Sequence, residues 1–277
     1  TVGSITAGDV TNNGTVSGSI TATGDVVNNG SVAGDVTAGG SVTGDGDIGG
    51  NVEAGDVTVV EIPTLTSSAT YSGAAQTFTV AATDYYDAVT VTGTDADTYT
   101  GTLSLSDKVN TKWSDGTTDD KTVTLTIAPK SVAVVWSNMS LTYTGRAQAP
   151  TATVDTGITG ETLTLTVAGQ QTNAGTYTAT ASTTNGNYTL TNATTSFTIA
   201  PMEITVPTLT KTVAYNGAEQ TFTIAATDYY AAVTVRGTNA DVYTETLALR
   251  DKANTVWADG TTADKTVTLT ITRGTID

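Results

Sequence analysis

The sequence predicts an all-β protein: an N-terminal three-sided parallel β-solenoid followed by three tandem small β domains in a rod. Three observations carry that expectation. Threonine fills 66 of 277 positions, and this β-branched, polar residue suits the solvent face of strands and disfavours helix. No segment shows a helical period of any length. Finally, the chain divides into a Gly/Val repeat without aromatic residues and a longer region of alternating Thr/Val strands with tyrosines.

The solenoid occupies residues 1–60. Val10, Val26 and Val42 lie sixteen apart, as do Val16, Val32 and Ile48, and also Ile20, Val36 and Val52. Glycines keep the same spacing at Gly14, Gly30 and Gly46, and again at Gly18, Gly34 and Gly50. Three inward aliphatic positions per turn are what three short strands around a narrow core require. The spacing shortens by one at Val57, and the repeat ends near Ile62-Pro63. Roughly three and a half turns is close to the minimum for such a stack. The first turn offers an uncovered edge, where another copy could pair.

Three further repeats follow, at 61–128, 129–201 and 202–277. "YSGAAQTFTVAATDYYDAVTVTGTDADTYT" (71–100) matches "YNGAEQTFTIAATDYYAAVTVRGTNADVYT" (215–244) at an offset of 144. The diverged middle copy keeps the anchors: Tyr71, Tyr143 and Tyr215 before a glycine, then Gln76, Gln148 and Gln220. Later come "TDADTY", "TNAGTY" and "TNADVY", and each copy closes on a strand such as "KTVTLTIAP". Each unit of roughly 70 residues, with five or six period-two strands, suits a small β-sandwich or a β-grasp-like sheet. Ala-Pro pairs at 128–129 and 200–201 mark short, stiff joints.

The Y-x-G-x-x-Q start, the T-N-A-G-T-Y turn and the closing T-I-A-P resemble the MBG-type ("mostly beta-grasp") modules of bacterial cell-surface proteins. Similar Y-x-G, N-x-x-W-x-D-G-T-T and K-T-V-T modules occur in virion proteins of bacteriophages from Gram-positive hosts. The resemblance covers residues 61–273 and is best in the middle copy. The outer copies have Asp97 and Asp241 where the middle one has Gly175. It implies surface display, often in arrays, and carries no catalytic residues. The solenoid is similar in texture to polymer-forming bacterial β-helix proteins.

Composition excludes several chemistries. With neither Cys nor His in the chain, Cys/His and Ser/His catalysis and most zinc, copper and haem sites are ruled out. A formal charge of −16 opposes binding to nucleic acid or anionic membranes. There is no run of about 18 apolar residues, so no membrane insertion is expected. Thr1 lies inside a repeat already under way, which points to a removed signal peptide or an excised fragment.

The acidic stretch "KWSDGTTDDK" (112–121), echoed by "VWADGTTADK" (256–265), is the most conspicuous candidate site. Asp115, Asp119 and Asp120, with Asp45 and Asp47 of the solenoid, are the calcium candidates. A calcium site needs six to eight oxygen ligands, and the second copy has Ala263 in place of Asp119. The stretch reads more simply as a hairpin, with Trp113 and Trp257 plugging the core and Gly116 and Gly260 making the turn. Lys108, Lys121, Lys252 and Lys265 recur with Asn110 and Asn254. A Lys–Asn isopeptide bond would need both groups in the core beside a carboxylate, and these lysines have exposed polar neighbours. Tyr85, Tyr86, Tyr229 and Tyr230 are candidate ligand-surface aromatics, with strand alternation leaving one of each pair outward. Six glutamates are scattered along the chain without the converging pair that glycoside hydrolysis requires.

The expected function is structural: a self-assembling extracellular subunit of a surface fibre, appendage or surface layer, working through strand-edge and solenoid contacts. It takes no cofactor and is not an enzyme, and its partner is its own kind. The competing class is an adhesin stalk or virion fibre with a glycan or cell-surface ligand.

Overall fold

A computed structural model of the chain describes residues 1–274. Every regular element among them is a strand. The fold is all-β, and no helix among the described residues is long and apolar enough to cross a membrane. The chain forms two compact units, one of residues 1–130 with 186–188, the other of residues 131–185 and 189 onward.

The first unit opens with three parallel sheets. One face stacks Ile5–Ala7, Ile20–Ala22, Val36–Ala38 and Val52–Ala54 in chain order. The second stacks Val10–Asn12, Val26–Asn28 and Val42–Thr43, and the third Thr15–Val16, Ser31–Val32 and Asp47–Ile48. In-register parallel pairing sets chemically similar residues above one another, which is why the aliphatic ladders are visible in the sequence. Val16, Ile20, Val26 and Val36 are wholly buried, and Ile48 at the last turn is half-buried. The first turn is one residue short of the period, because Ile5, not Ser4, stands over Ile20.

Glycine is required where turns meet at the corners. A side chain on Gly30 would begin 2.0 Å from the carbonyl oxygen of Gly14, and one on Gly46 would begin 2.2 Å from that of Gly30. Exposed acidic and hydroxyl corners also have a structural use. The Asp9, Asp25 and Asp35 carboxylates accept backbone N–H groups from Asp25, Ser41 and Asn51 in the succeeding turns, at 2.8–3.0 Å. Inside, a buried ladder joins Asn12 Nδ2 to Asn28 Oδ1 at 2.6 Å, and Asn28 Nδ2 donates to Asp47 O at 3.2 Å. These amides satisfy one another and the backbone, as burial demands.

The solenoid ends earlier than residue 60. Strand Thr58–Val60 pairs in parallel with Thr111–Trp113, fifty residues on, and so belongs to the first repeat. That repeat adds a three-stranded sheet in which the long closing strand Lys121–Ala128 lies between Thr66–Thr70, parallel, and Thr98–Leu103, antiparallel. A separate hairpin pairs Gln76–Val80 with Val89–Gly93. Inward Val91, Leu103, Val123, Leu125 and Ile127 alternate with outward threonines to make the core.

The second unit holds the other two repeats. The last one reproduces the first strand for strand: Met202–Ile204 beside Thr255–Trp257, and Thr210–Ala214 and Val242–Leu247 flanking Lys265–Thr272. Its core joins Ile204, Ile224, Val235, Leu247, Trp257 and Leu269. The middle repeat keeps the pattern with Thr194–Ala200 between Ser140–Thr142 and Gly175–Ser182, plus an added edge strand Thr166–Ala168. Its buried core is smaller, built on Ala179, Phe197 and Ile199. The closing "TRGTID" (272–277) resembles in sequence the opening of another module, and its residues 275–277 lie outside the described residues.

Candidate functional site

In the acidic loop, the Trp113 N–H donates to Thr117 O and the Gly116 N–H to Trp113 O, both at 2.8 Å. Gly116 takes φ of +84° and Gly260 +80°, a left-handed conformation that glycine adopts without steric cost. The turn is as expected, but the hairpin stops there. Strand Thr111–Trp113 departs to pair with Thr58–Val60, and Lys121–Ala128 enters the three-stranded sheet. Trp113 and Trp257 are fully buried. The indole of Trp113 donates to Asp119 O at 2.9 Å, and that of Trp257 to Ala263 O at 3.0 Å. Only the backbone of that position is used, so Asp and Ala are interchangeable there.

The carboxylates of this loop do not converge. Asp115 accepts from the N–H and hydroxyl of Thr117 and from Lys121 Nζ at 2.6 Å, whereas Asp120 pairs with Lys108 at 2.6 Å. Asp259 and Asp264 repeat both arrangements with Lys265 and Lys252. Among the described residues no three acidic side chains form a metal-sized cluster. The calcium candidates are therefore corrected: Asp115 and Asp120 face separate lysines, Asp119 contributes its carbonyl, and Asp47 contributes its own to Asn28. Asp45 is an exposed corner of the solenoid. Lys108, Lys121, Lys252 and Lys265 are thus paired with aspartates, while Asn110 and Asn254 bond elsewhere.

The hydrogen bond from Lys121 holds the Asp115 carboxyl at about 2, down from 3.8, with Thr117 adding two further donors. Lys265 does the same for Asp259, also to about 2. Lys108, followed by Ser104, lowers Asp120. Folded carboxyls that bind protons more weakly than unfolded ones stabilise the fold above about pH 4, and that contribution fades as pH falls towards 2. An NMR titration is expected to place the midpoints of Asp115 and Asp259 near 2; midpoints in the ordinary carboxylate range would remove the ion pairs from the account.

Neither tyrosine doublet lies in a strand: Tyr85, Tyr86 and Tyr229 are on bends, and Tyr230 makes an isolated bridge to Leu249. The Thr83 N–H donates to Tyr86 O, and the Thr227 N–H to Tyr230 O. Tyr86 and Tyr230 are buried against tryptophan, with centroids 5.6 Å from Trp113 and 5.7 Å from Trp257. They are therefore core residues and not outward aromatics, although the edge of Tyr230 reaches the wall of a cavity beside Tyr229. Tyr85 and Tyr229 are 40% and 36% exposed. Tyr229 borders a cavity of about 310 Å³ with Met202, Glu203 and Thr227, and another of about 190 Å³ with Tyr143, Asp228 and Arg250.

A different set of residues recurs more consistently. Asn110 turns its amide onto the last turn of the solenoid, accepting the Val42 N–H with Oδ1 at 2.8 Å and donating to Val42 O at 2.6 Å. Asn187, which belongs with the first unit, accepts the Ala96 N–H at 2.7 Å and donates to Asp95 Oδ1 at 2.8 Å. In the second unit Asn254 accepts the Ala174 N–H at 2.7 Å and donates to Asn173 Oδ1 at 3.3 Å. Each asparagine also receives, at its own carbonyl, the N–H that opens its repeat: Thr58, Lys130 and Met202 at 2.8–2.9 Å.

Aspartate presents two of these amides. Asp107 Oδ1 accepts the N–H groups of Val109 and Asn110, and its Oδ2 accepts from Asn110 Nδ2; Asp251 holds Asn254 in the same way. Partial burial alone would raise the Asp107 pKa, but the Asn110 side chain and the Asn110 and Val109 amides outweigh it, so the net shift is downward. Asn110 and Asn254 sit three residues before their tryptophans, and Asn187 has no matching tryptophan to flag it. Val109 packs beside Asn110 onto the aliphatic ladder. Asn110→Ala is expected to cost about 1–3 kcal/mol by orphaning the Val42 backbone groups. Amide exchange at Val42 should accelerate; an unchanged rate would deny the side chain that role.

No family model matches the chain, and no curated protein matches it. Among solved structures, one that matches is SGBP-B of the Bacteroides ovatus mixed-linkage glucan utilization locus in complex with a mixed-linkage heptasaccharide. The chains are 12% identical, with 76% of this chain and 67% of that one covered at a TM-score of 0.16. At that TM-score the likeness carries no argument about fold or ligand.

Proposed function

We propose that the chain is a structural extracellular protein, in which a β-solenoid and three MBG-type β modules form a self-assembling subunit of a surface fibre, appendage or surface layer. The observation that carries this reading is the asparagine contact repeated at Asn110, Asn187 and Asn254. At all three the side-chain oxygen accepts a backbone N–H from a residue remote in the chain, and the asparagine carbonyl receives the N–H that opens its own repeat, which suits a protein whose work is to hold shape. The acidic loops support it too, since Asp115, Asp120, Asp259 and Asp264 are occupied by lysines. No catalytic residue is assigned. Copies would associate through strand edges such as Ile5–Ala7, which pairs on one side only among the described residues. Electron microscopy and sedimentation at rising concentration should reveal ordered multimers; monomers throughout would sink the self-assembly.

A second reading, an adhesin stalk or virion fibre with a glycan ligand, draws on exposed Tyr229 between its two cavities. A glycan array should then give hits that Tyr229→Ala abolishes, and an array without hits would dismiss it.

A further inference from the structure

The asparagine contact is made three times, but the loop that receives it in the β modules occurs in a third version with nothing bound. In the first two versions, Asp95-Ala96 and Asn173-Ala174, the alanine N–H donates to an asparagine at 2.7 Å and the alanine is half-buried. The third version is Asn239-Ala240, where both residues are exposed.

This third loop has the conformation of the first receiving loop. The Tyr243 hydroxyl bonds Asn239 O at 3.2 Å, as that of Tyr99 bonds Asp95 O at 3.2 Å. Asp241 Oδ1 accepts the Val242 N–H at 2.8 Å, as Asp97 Oδ1 accepts that of Thr98 at 2.7 Å. The Ile271 N–H reaches Asp241 O as the Ile127 N–H reaches Asp97 O, at 2.9 and 2.8 Å. A rigid loop presenting an unused N–H and a side-chain amide oxygen matches the acceptor and donor of a primary amide.

We propose that Asn239-Ala240 is the receiving half of a further joint, whose occupant is the asparagine of another β module of this kind placed behind strand Lys265–Thr272. Chain register favours that occupant. Lys130 and Met202 each open a repeat two residues after a closing strand ends, at Ala128 and Ala200, and each donates its N–H to the docking asparagine. Gly274 stands two residues after Thr272, in the same place. A second copy of the chain is the poorer fit, because its Asn110, Asn187 and Asn254 are already engaged in its own joints. The inference rests on the reading of the repeats as structural modules, but self-assembly is not needed for it.

The test is amide hydrogen exchange on the 277-residue chain and on a longer protein in which residues 202–277 are repeated directly after Arg273, with the original residues 1–273 isotope-labelled by ligation so that their Ala240 is read apart from that of the added repeat. In the 277-residue chain, Ala240 should exchange on the order of 100-fold faster than Ala96 and Ala174. In the longer protein it should slow to their range, and Asn254→Ala within the added repeat should restore fast exchange. Slow exchange at Val267 and Leu269 of the unlabelled added repeat, which are wholly buried in the original, reports that it is folded. Fast exchange at Ala240 beside a folded added repeat would overturn the proposal. So would protection in the 277-residue chain that grows with concentration, because the occupant would then be a second copy. Sedimentation of the same samples reads self-assembly separately, so either idea can fail alone.

Discussion

Trp113→Ala and Trp257→Ala are each expected to destabilise their module by about 3–5 kcal/mol, a large fraction of what a domain of this size possesses. Each indole is fully buried, stacks obliquely on Tyr86 or Tyr230, and spends its N–H on a loop carbonyl. Removing it leaves a cavity at the base of the strand that joins the two ends of the repeat, Thr58–Val60 to Thr111–Trp113 or Met202–Ile204 to Thr255–Trp257. Because the two sites match in burial, ring distance and hydrogen bond, the two losses should agree within about 1 kcal/mol. Denaturant unfolding of the single variants measures both. A loss below about 1 kcal/mol at either site would show that the site relaxes around the gap.

Gly30→Val should be equally severe in the solenoid and Gly14→Val nearly silent, although the two glycines hold the same place in successive turns. A side chain at Gly30 collides with backbone, 2.0 Å from Gly14 O and 2.7 Å from Gly14 N, whereas one at Gly14 meets nothing within 4 Å. Backbone cannot rotate away as a side chain can, so the turns must separate, at a cost of about 3 kcal/mol or more. Gly14→Val should stay within about 0.5 kcal/mol. The solenoid holds no tryptophan, so the damage should register as loss of far-ultraviolet circular dichroism with tryptophan emission preserved. Equal effects from the two substitutions would contradict the stacking order.

How much of this could be read from the sequence depended on whether the physics was periodic. The ladders at Val10, Val26 and Val42 were legible because parallel stacking repeats its demand at every turn. The shortened first turn was not, since a single Ile5 between Ser4 and Thr6 fits either register until a partner fixes it. Threonine–valine alternation announced strands and core faces, but said nothing of which strands pair. Hence the parallel union of Thr58–Val60 with Thr111–Trp113 was hidden, and the solenoid boundary with it. The tyrosine doublets were read as strand and proved to lie outside the strands, so it is packing on tryptophan that turns one of each pair inward. The asparagine contacts were the least legible. Polar residues in loops look solvated, and Asn110, Asn187 and Asn254 are distinguished only by the backbone that comes to meet them.

The parallel pairing of Thr66–Thr70 with Lys121–Ala128, and of Thr210–Ala214 with Lys265–Thr272, has a mechanical meaning. The chain enters the three-stranded sheet of each of these modules along one of these strands and leaves it along the neighbour, pointing the same way. A pull on the two ends would therefore drag the strands past each other lengthwise, loading all their hydrogen bonds at once in shear. An antiparallel pair pulled from its two free ends would open like a zip, one bond at a time. The architecture of these modules is thus suited to bearing tension along the chain.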